Sequence, residues 1–147
     1  MVKIAVFDSG LGSLSIINAI QKICKSEIIY FADQKNFPYG NKSKKQLETV
    51  IKQTIKLLEE KFSPDVIVMA SNTPSLMVIA NKKVIGVNPP IREAMLLSKT
   101  KNIVILGTRA AIKSKSLSRY IKKFNFPKNK KIYKVNSSTL VDLVESN

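Results

Sequence analysis

The chain has 147 residues, 44% of them hydrophobic and 24% charged, with one cysteine, no histidine and a formal net charge of +15. That length and balance suit one globular domain or one and a half, long enough to bury a real core. They exclude an internal disulfide framework and any histidine-based triad, zinc site or proton shuttle within the chain. No apolar run reaches membrane-span length, and Met1-Val2-Lys3 leads straight into a strand pattern. Neither a membrane segment nor a signal peptide is therefore expected, and the lone Cys24 fits a reducing cytoplasm.

The first apolar run, from Lys3 to Phe7, predicts a strand buried on both faces. It breaks at Asp8, Ser9, Gly10 and Gly12, and an amphipathic helix from Leu14 to Cys24 follows. Strand, glycine loop and helix make the first half of a βαβ unit, a fold that places ligands at the carboxyl ends of its strands. Gly10 and Gly12 are expected to permit close approach to the backbone and unusual dihedrals. The Gly-Leu-Gly-Ser run is short of a dinucleotide fingerprint, which needs further glycine spacing and a later acid.

Glu27 to Ala32 reads as a second buried strand, and Asp33 to Lys42 as a turn-rich loop. Ser43 and Gln46 form a capping-box pattern, and apolar positions from Leu47 to Leu58 continue an amphipathic helix to Phe62. Asp65 to Ala70 is a third strand, ending in Ser71-Asn72-Thr73, with Pro74 suited to the first turn of a helix. Further strands are expected at Val84 to Val87, Asn102 to Leu106 and Lys130 to Val135. Helices are expected from Ile91 to about Ser98, from Ser114 or Ser116 to Phe124, and from Ser138 to Glu145. This alternation predicts a parallel sheet flanked by helices, with strands starting near Lys3, Ile28, Asp65 and Asn102. A lobe boundary falls near Leu97 to Lys101.

Charge is uneven along the chain. Residues 1–98 carry 13 basic and 8 acidic side chains, whereas residues 99–134 carry 12 basic ones and no acidic one. The basic residues are nearly all lysine, with little aromatic interleaving, which favours a solvated surface over a nucleic-acid or other polyanion site. The polyanion reading stays open as an alternative.

Small polar groups recur where strands end: Asp8-Ser9, Ser71-Asn72-Thr73 and Gly107-Thr108, with Tyr39-Gly40 in the loop after the second strand. Each alone reads first as a helix cap. Together they make a set of hydroxyl, amide and backbone donors able to hold a carboxylate.

The runs VFDSGLG at 6–12, PYGNKS at 38–43, ASNT at 70–73 and GTRAAIKS at 107–114, in this order and spacing, resemble glutamate racemase. More broadly they resemble the cofactor-independent aspartate/glutamate racemase superfamily. The resemblance covers this whole chain and the first part of a full-length member. It implies an α/β fold with a first lobe over residues 1–98 and the start of a second, lysine-rich lobe over 99–147, incomplete relative to the family. It implies interconversion of L- and D-glutamate, a peptidoglycan precursor, by two-base proton transfer, with no metal, nucleotide or pyridoxal phosphate. Substrate contacts are implied for Asp8, Ser9, Tyr39, Gly40, Asn72 and Thr73, with Asp8 also placed to assist as acid or base.

In that family two cysteines face opposite sides of the substrate α-carbon. Ser71 stands at the first of these positions, and the motif carrying the second lies further along than Asn147. Smaller departures are Ser13, where the second glycine of a pair is usual, and Ala111, where threonine is common. A serine hydroxyl is a far weaker acid than a thiol and needs a neighbouring base. Cys24, beside Ile17 and Ile20, is expected to be an inert core thiol.

Three readings follow: a shortened or divergent racemase with impaired catalysis; a non-catalytic relative that binds glutamate, aspartate or another dicarboxylate; and a polyanion-binding module using residues 99–134. The family closes its first lobe with C-terminal segments, so exposed apolar surface is expected here, covered by a homodimer contact or a completing chain.

Overall fold

The computed structural model describes residues 1–78, 81–100, 102–126 and 130–146. Six strands and seven helices alternate through them: β1 (Val2–Asp8), α1 (Ser13–Ile23), β2 (Ser26–Ala32), α2 (Lys44–Phe62), β3 (Val66–Met69), α3 (Asn72–Met77), β4 (Val84–Gly86), α4 (Ile91–Leu97), β5 (Asn102–Gly107), α5 (Arg109–Lys113), α6 (Lys115–Lys122), β6 (Lys131–Asn136) and α7 (Ser138–Glu145). Two single 3-10 turns, Gln34–Asn36 and Tyr39–Asn41, lie in the loop before α2.

The strands form two parallel sheets. One has the order β2-β1-β3-β4, and the other pairs β5 with β6. The strand at Asn102 therefore starts a second sheet and does not extend the first. In the first sheet β1 pairs with β3 from Ile4 opposite Val66 to Phe7 opposite Met69. Successive side chains of a strand point to opposite faces, so these two central strands supply two cores. Ala5, Phe7, Ile67 and Met69 pack under Leu47, Ile51 and Leu58 of α2. Ile4, Val6, Val68 and Ala70 pack against Ile16, Ile17 and Ile20 of α1. The continuous apolar run of β1 is explained by this cover on both faces.

The capping box forms as expected: the Ser43 N–H donates to Gln46 Oε1 at 2.8 Å and the Gln46 N–H to Ser43 Oγ at 3.3 Å. It starts α2 in register, so that Leu47, Ile51, Thr54 and Leu58 share the buried face. Truncating Ile51, which is fully buried, to alanine would cost about 2–5 kcal/mol.

Other expectations are corrected. The second strand is an edge, and most of its side chains are only half-buried, because no further strand covers its outer side. Cys24 lies just past α1 as its extended C-cap and is half-buried, not a core thiol. The helix has already ended there, and Cys24 is not among the residues packed with Ile16, Ile17 and Ile20. A short helix, α5, occupies Arg109–Lys113, where loop was expected.

The second sheet is covered on one face. Ile103 and Ile105 pack with Ile91, Leu117 and flanking residues of α4 and α6. Val104, Leu106, Tyr133 and Val135, on the opposite face, are 43–59% exposed. The described basic residues of 99–134 are spread from the turn after α4 through α5, α6 and β6. Among the described residues no helix is long and apolar enough to cross a membrane.

Candidate functional site

The carboxyl ends of β1, β3 and β5 border one pocket of about 620 Å³, with residues of the 37–40 segment and of α7 completing its wall. All seven residues singled out from the sequence, Asp8, Ser9, Tyr39, Gly40, Ser71, Asn72 and Thr73, line it. The topology brings them together because parallel strands all deliver their ends to the same side.

Asp8 terminates β1 and is only 8% exposed. Its Oδ1 accepts the Ser9 backbone N–H at 2.6 Å, and the Ser71 hydroxyl and Gly10 N–H lie within electrostatic reach of the carboxylate. These groups favour the anion, but burial outweighs them and the neighbouring Glu145 charge adds to it, so the carboxyl is pushed up to about 6 from 3.8. Loss of hydration disfavours the charged form. A carboxyl poised near 6 can both take and give a proton close to neutrality, as an acid–base group must.

Ser71 precedes α3 in an extended conformation and makes no side-chain cap to that helix. Its hydroxyl is near enough to Asp8 to favour that group's anion. The ordinary capping role thus fails at this position. Asn72 is exposed at the rim, while Thr73 is buried. The hydroxyls of Thr73 and Thr108 lie 2.9 Å apart, linking the first sheet to the second. Thr108 also caps α5 by accepting the Ala111 N–H at 3.3 Å.

Tyr39 enters the site by its backbone. Its N–H donates to Ser9 Oγ at 3.3 Å, while the ring is buried in the first core and the phenol donates to Asp33 Oδ2 at 2.8 Å. Burial first, then the Asp33 hydrogen bond and charge, hold this phenol well above its usual range. Gly40 is required by close packing: a Cβ there would sit 2.5 Å from Thr108 Cγ2.

The glycine loop behaves differently from expectation. No described glycine has positive φ, so Gly10 and Gly12 are not chosen for unusual dihedrals. At Gly10 a Cβ would meet Glu145 Oε1 at 2.2 Å, the movable end of a flexible side chain. Ser13 is fully buried at the start of α1, with its hydroxyl donating to the Gly10 carbonyl at 3.4 Å. Ala111 is buried in the pocket wall. Cys24 lies at the far end of α1, about 16 Å of helix away from the loop.

Sequence reasoning missed three contributors. Glu145 reaches in from α7, and its Oε1 accepts the Leu11 N–H at 2.7 Å. Thr108 was read only as one more polar strand end. Asp33 falls in the turn-rich loop of the sequence pattern, although an acid directly after a strand and just before an aromatic turn is a usable signal.

No protein-family model matches the chain. A glutamate racemase of Actinobacillus pleuropneumoniae serotype 5b (strain L20) is 32% identical to it, across 97% of this chain and 56% of that protein. The crystal structure of Escherichia coli glutamate racemase in complex with L-glutamate and the activator UDP-MurNAc-ala superposes with a TM-score of 0.86 at 28% identity, over 99% of this chain and 56% of that one. Glutamate racemase from Francisella tularensis subsp. tularensis SCHU S4, in complex with D-glutamate, gives 0.78 at 29% identity over 99% and 57%. The chain spans about half the length of the curated relatives it matches.

Proposed function

Because the chain is a homologue of the glutamate racemases along about half of their length, we propose that it binds an acidic amino acid, glutamate first and aspartate second, in the pocket at the strand ends. The observation that carries this reading is the convergence of Asp8, Ser9, Ser71 and Thr73, with the Tyr39-Gly40 backbone, on one cavity. Hydroxyls and backbone N–H groups suit the carboxylates of such a ligand, and Asp8 suits its ammonium group. Two of the similar structures hold L-glutamate and D-glutamate.

The same reading makes this chain, on its own, a binder that does not racemise. Racemisation needs an acceptor on one face of the α-carbon and a donor on the other, each within hydrogen-bond reach. Ser71 stands where the first thiol is expected, and among the described residues the acid–base group beside it is Asp8. One positioned acid–base group contributes roughly 100- to 10,000-fold, so a hydroxyl in place of a thiolate on the Ser71 side lowers turnover by a comparable factor. The reading invokes no metal, nucleotide or pyridoxal phosphate, places the protein in the cytoplasm, and treats residues 1–98 and 99–147 as the first lobe and the start of a second.

The test is titration calorimetry with both enantiomers of glutamate and aspartate, joined to α-proton exchange in D2O followed by NMR. Saturable binding without exchange is the expected result. Absence of binding by all four would overturn the proposal. The polyanion alternative instead predicts indifference to glutamate and salt-dependent capture of nucleic acid.

A further inference from the structure

Asp33 is one of the few buried carboxylates in this chain, at 6% exposure, and it lies outside the set of groups that border the pocket. It sits just past the end of β2, where its own backbone N–H donates to the Asp8 carbonyl at 2.7 Å. Its two oxygens then collect side-chain donors from three places. The Asn36 amide spans both oxygens at 2.9 and 3.0 Å, the Tyr39 phenol reaches Oδ2 at 2.8 Å, and the Thr54 hydroxyl of α2 reaches Oδ2 at 3.4 Å. Its carbonyl accepts the Asn36 N–H at 3.1 Å.

All of these partners are donors. A carboxylate can serve them all, because its oxygens accept and do not compete as donors. A buried carboxylate held by several hydrogen bonds is also stiff, since each donor would be stranded if another conformation were taken. The bonds run from the end of β1, through both 3-10 turns, to the buried face of α2. The group held most tightly is Tyr39, whose ring is anchored in the core and whose N–H faces Ser9.

We propose that Asp33 is the positioning residue of the pocket's 36–41 wall: it fixes Tyr39 by the phenol, and thereby sets the Tyr39 N–H and the side-chain-free Gly40 at the edge of the ligand site. Asp33 does not touch the ligand. It acts through Tyr39 and through the shared bond to the Asp8 backbone. This inference rests on the acidic amino acid reading for its ligand, but not for its local mechanics.

The test uses Asp33→Asn, which keeps size and shape but turns one acceptor into a donor facing other donors. Hydrogen exchange read by mass spectrometry should show the 36–42 segment opening faster in the variant, with α2 and the β1–β3 pairing as protected as in wild type. Glutamate affinity should fall about tenfold or more, the effect expected when a buried polar partner is left unsatisfied. Tyr39→Phe, which removes only the phenol bond, should move both readouts the same way by less, and it decides the matter if Asp33→Asn does not fold. Unchanged exchange in 36–42 would overturn the proposal, and so would faster exchange with unchanged affinity. If wild type binds neither enantiomer of glutamate, the functional reading fails, while the exchange result still decides whether Asp33 holds the segment.

Discussion

Glu145, at the end of α7, accepts a hydrogen bond from the Leu11 backbone N–H across 134 positions of sequence, so the last helix is tied to the first loop. The bond joins the element that follows the second sheet to the ligand-facing end of the first. It also brings a second carboxylate close enough to Asp8 to raise that group's pKa. The Thr73 to Thr108 contact makes another bridge between the two parts.

Replacing Glu145 by glutamine separates its charge from its hydrogen bond. The amide oxygen can still accept from Leu11, but the negative charge beside Asp8 is gone. The Asp8 pKa should move down from about 6 toward its ordinary value of 3.8, while remaining raised because burial is the larger cause. A carbon-detected NMR titration of the Asp8 carboxyl measures this. No downward movement would show that the two carboxylates do not sense each other.

Asp8 also makes stability depend on pH. Its folded pKa is raised, so the folded state holds a proton that the unfolded chain releases earlier. The neutral group's contribution is complete below about pH 4 and is lost as pH rises through about 6. The difference is on the order of 3 kcal/mol for a shift from 3.8 to about 6. Asp8→Asn should therefore raise the urea midpoint at pH 7 and flatten the stability profile between pH 4 and 6. An unchanged profile would mean that Asp8 is not desolvated.

Gly40 and Thr108 form a packing pair that a double mutant can expose. Gly40→Ala places a Cβ 2.5 Å from Thr108 Cγ2, and such overpacking costs about 1–3 kcal/mol. Thr108→Gly opens that space and should recover part of the loss, beyond the penalty for its missing cap on α5. Additive losses in the double mutant would contradict the contact.

Ser71→Cys restores a thiol beside Asp8. Wild type should show no α-proton exchange with glutamate, whereas the cysteine variant should gain exchange with one enantiomer only, because a single face acquires a base. Exchange of both enantiomers, or racemisation by wild type, would refute the one-sided site.

The outer face of the second sheet leads to a prediction about assembly. Val104, Leu106, Tyr133 and Val135 form an exposed apolar strip on a parallel pair, a type of sheet normally covered on both faces. The chain should self-associate through this strip, more strongly as salt screens its net charge of +15. Sedimentation at low and high salt checks this, with Leu106→Glu expected to return the chain to monomer. A monomer at every salt concentration would count against the contact.

Much of the first sheet was legible because its signals are local. The apolar runs at 4–7 and 66–69, the Ser43–Gln46 box and the polar breaks at Asp8 and Ser71 depend on neighbours a few residues apart. The errors fall where the answer lies in distant partners. Whether β2 is central or an edge depends on strand order, and Cys24 is half-buried because of where α1 happens to stop. Asn102 begins a second sheet because β5 pairs with β6, and not with any of the first four strands.

The site divides in the same way. Residue type and spacing alone determined which groups meet at the strand ends, since parallel strands joined by helices bring their carboxyl ends to one side. The resemblance to glutamate racemase placed Ser71 at the position of the expected thiol. Only the tertiary structure decided what those groups do. It left the Ser71 hydroxyl without a cap bond to α3 and close to Asp8, committed the Tyr39 phenol to Asp33, and brought Glu145 against Gly10. The physical reason is that burial and charge proximity are set by what packs on top. Desolvation is the largest cause of the Asp8 shift, and no local pattern of residues encodes how much water a fold will remove.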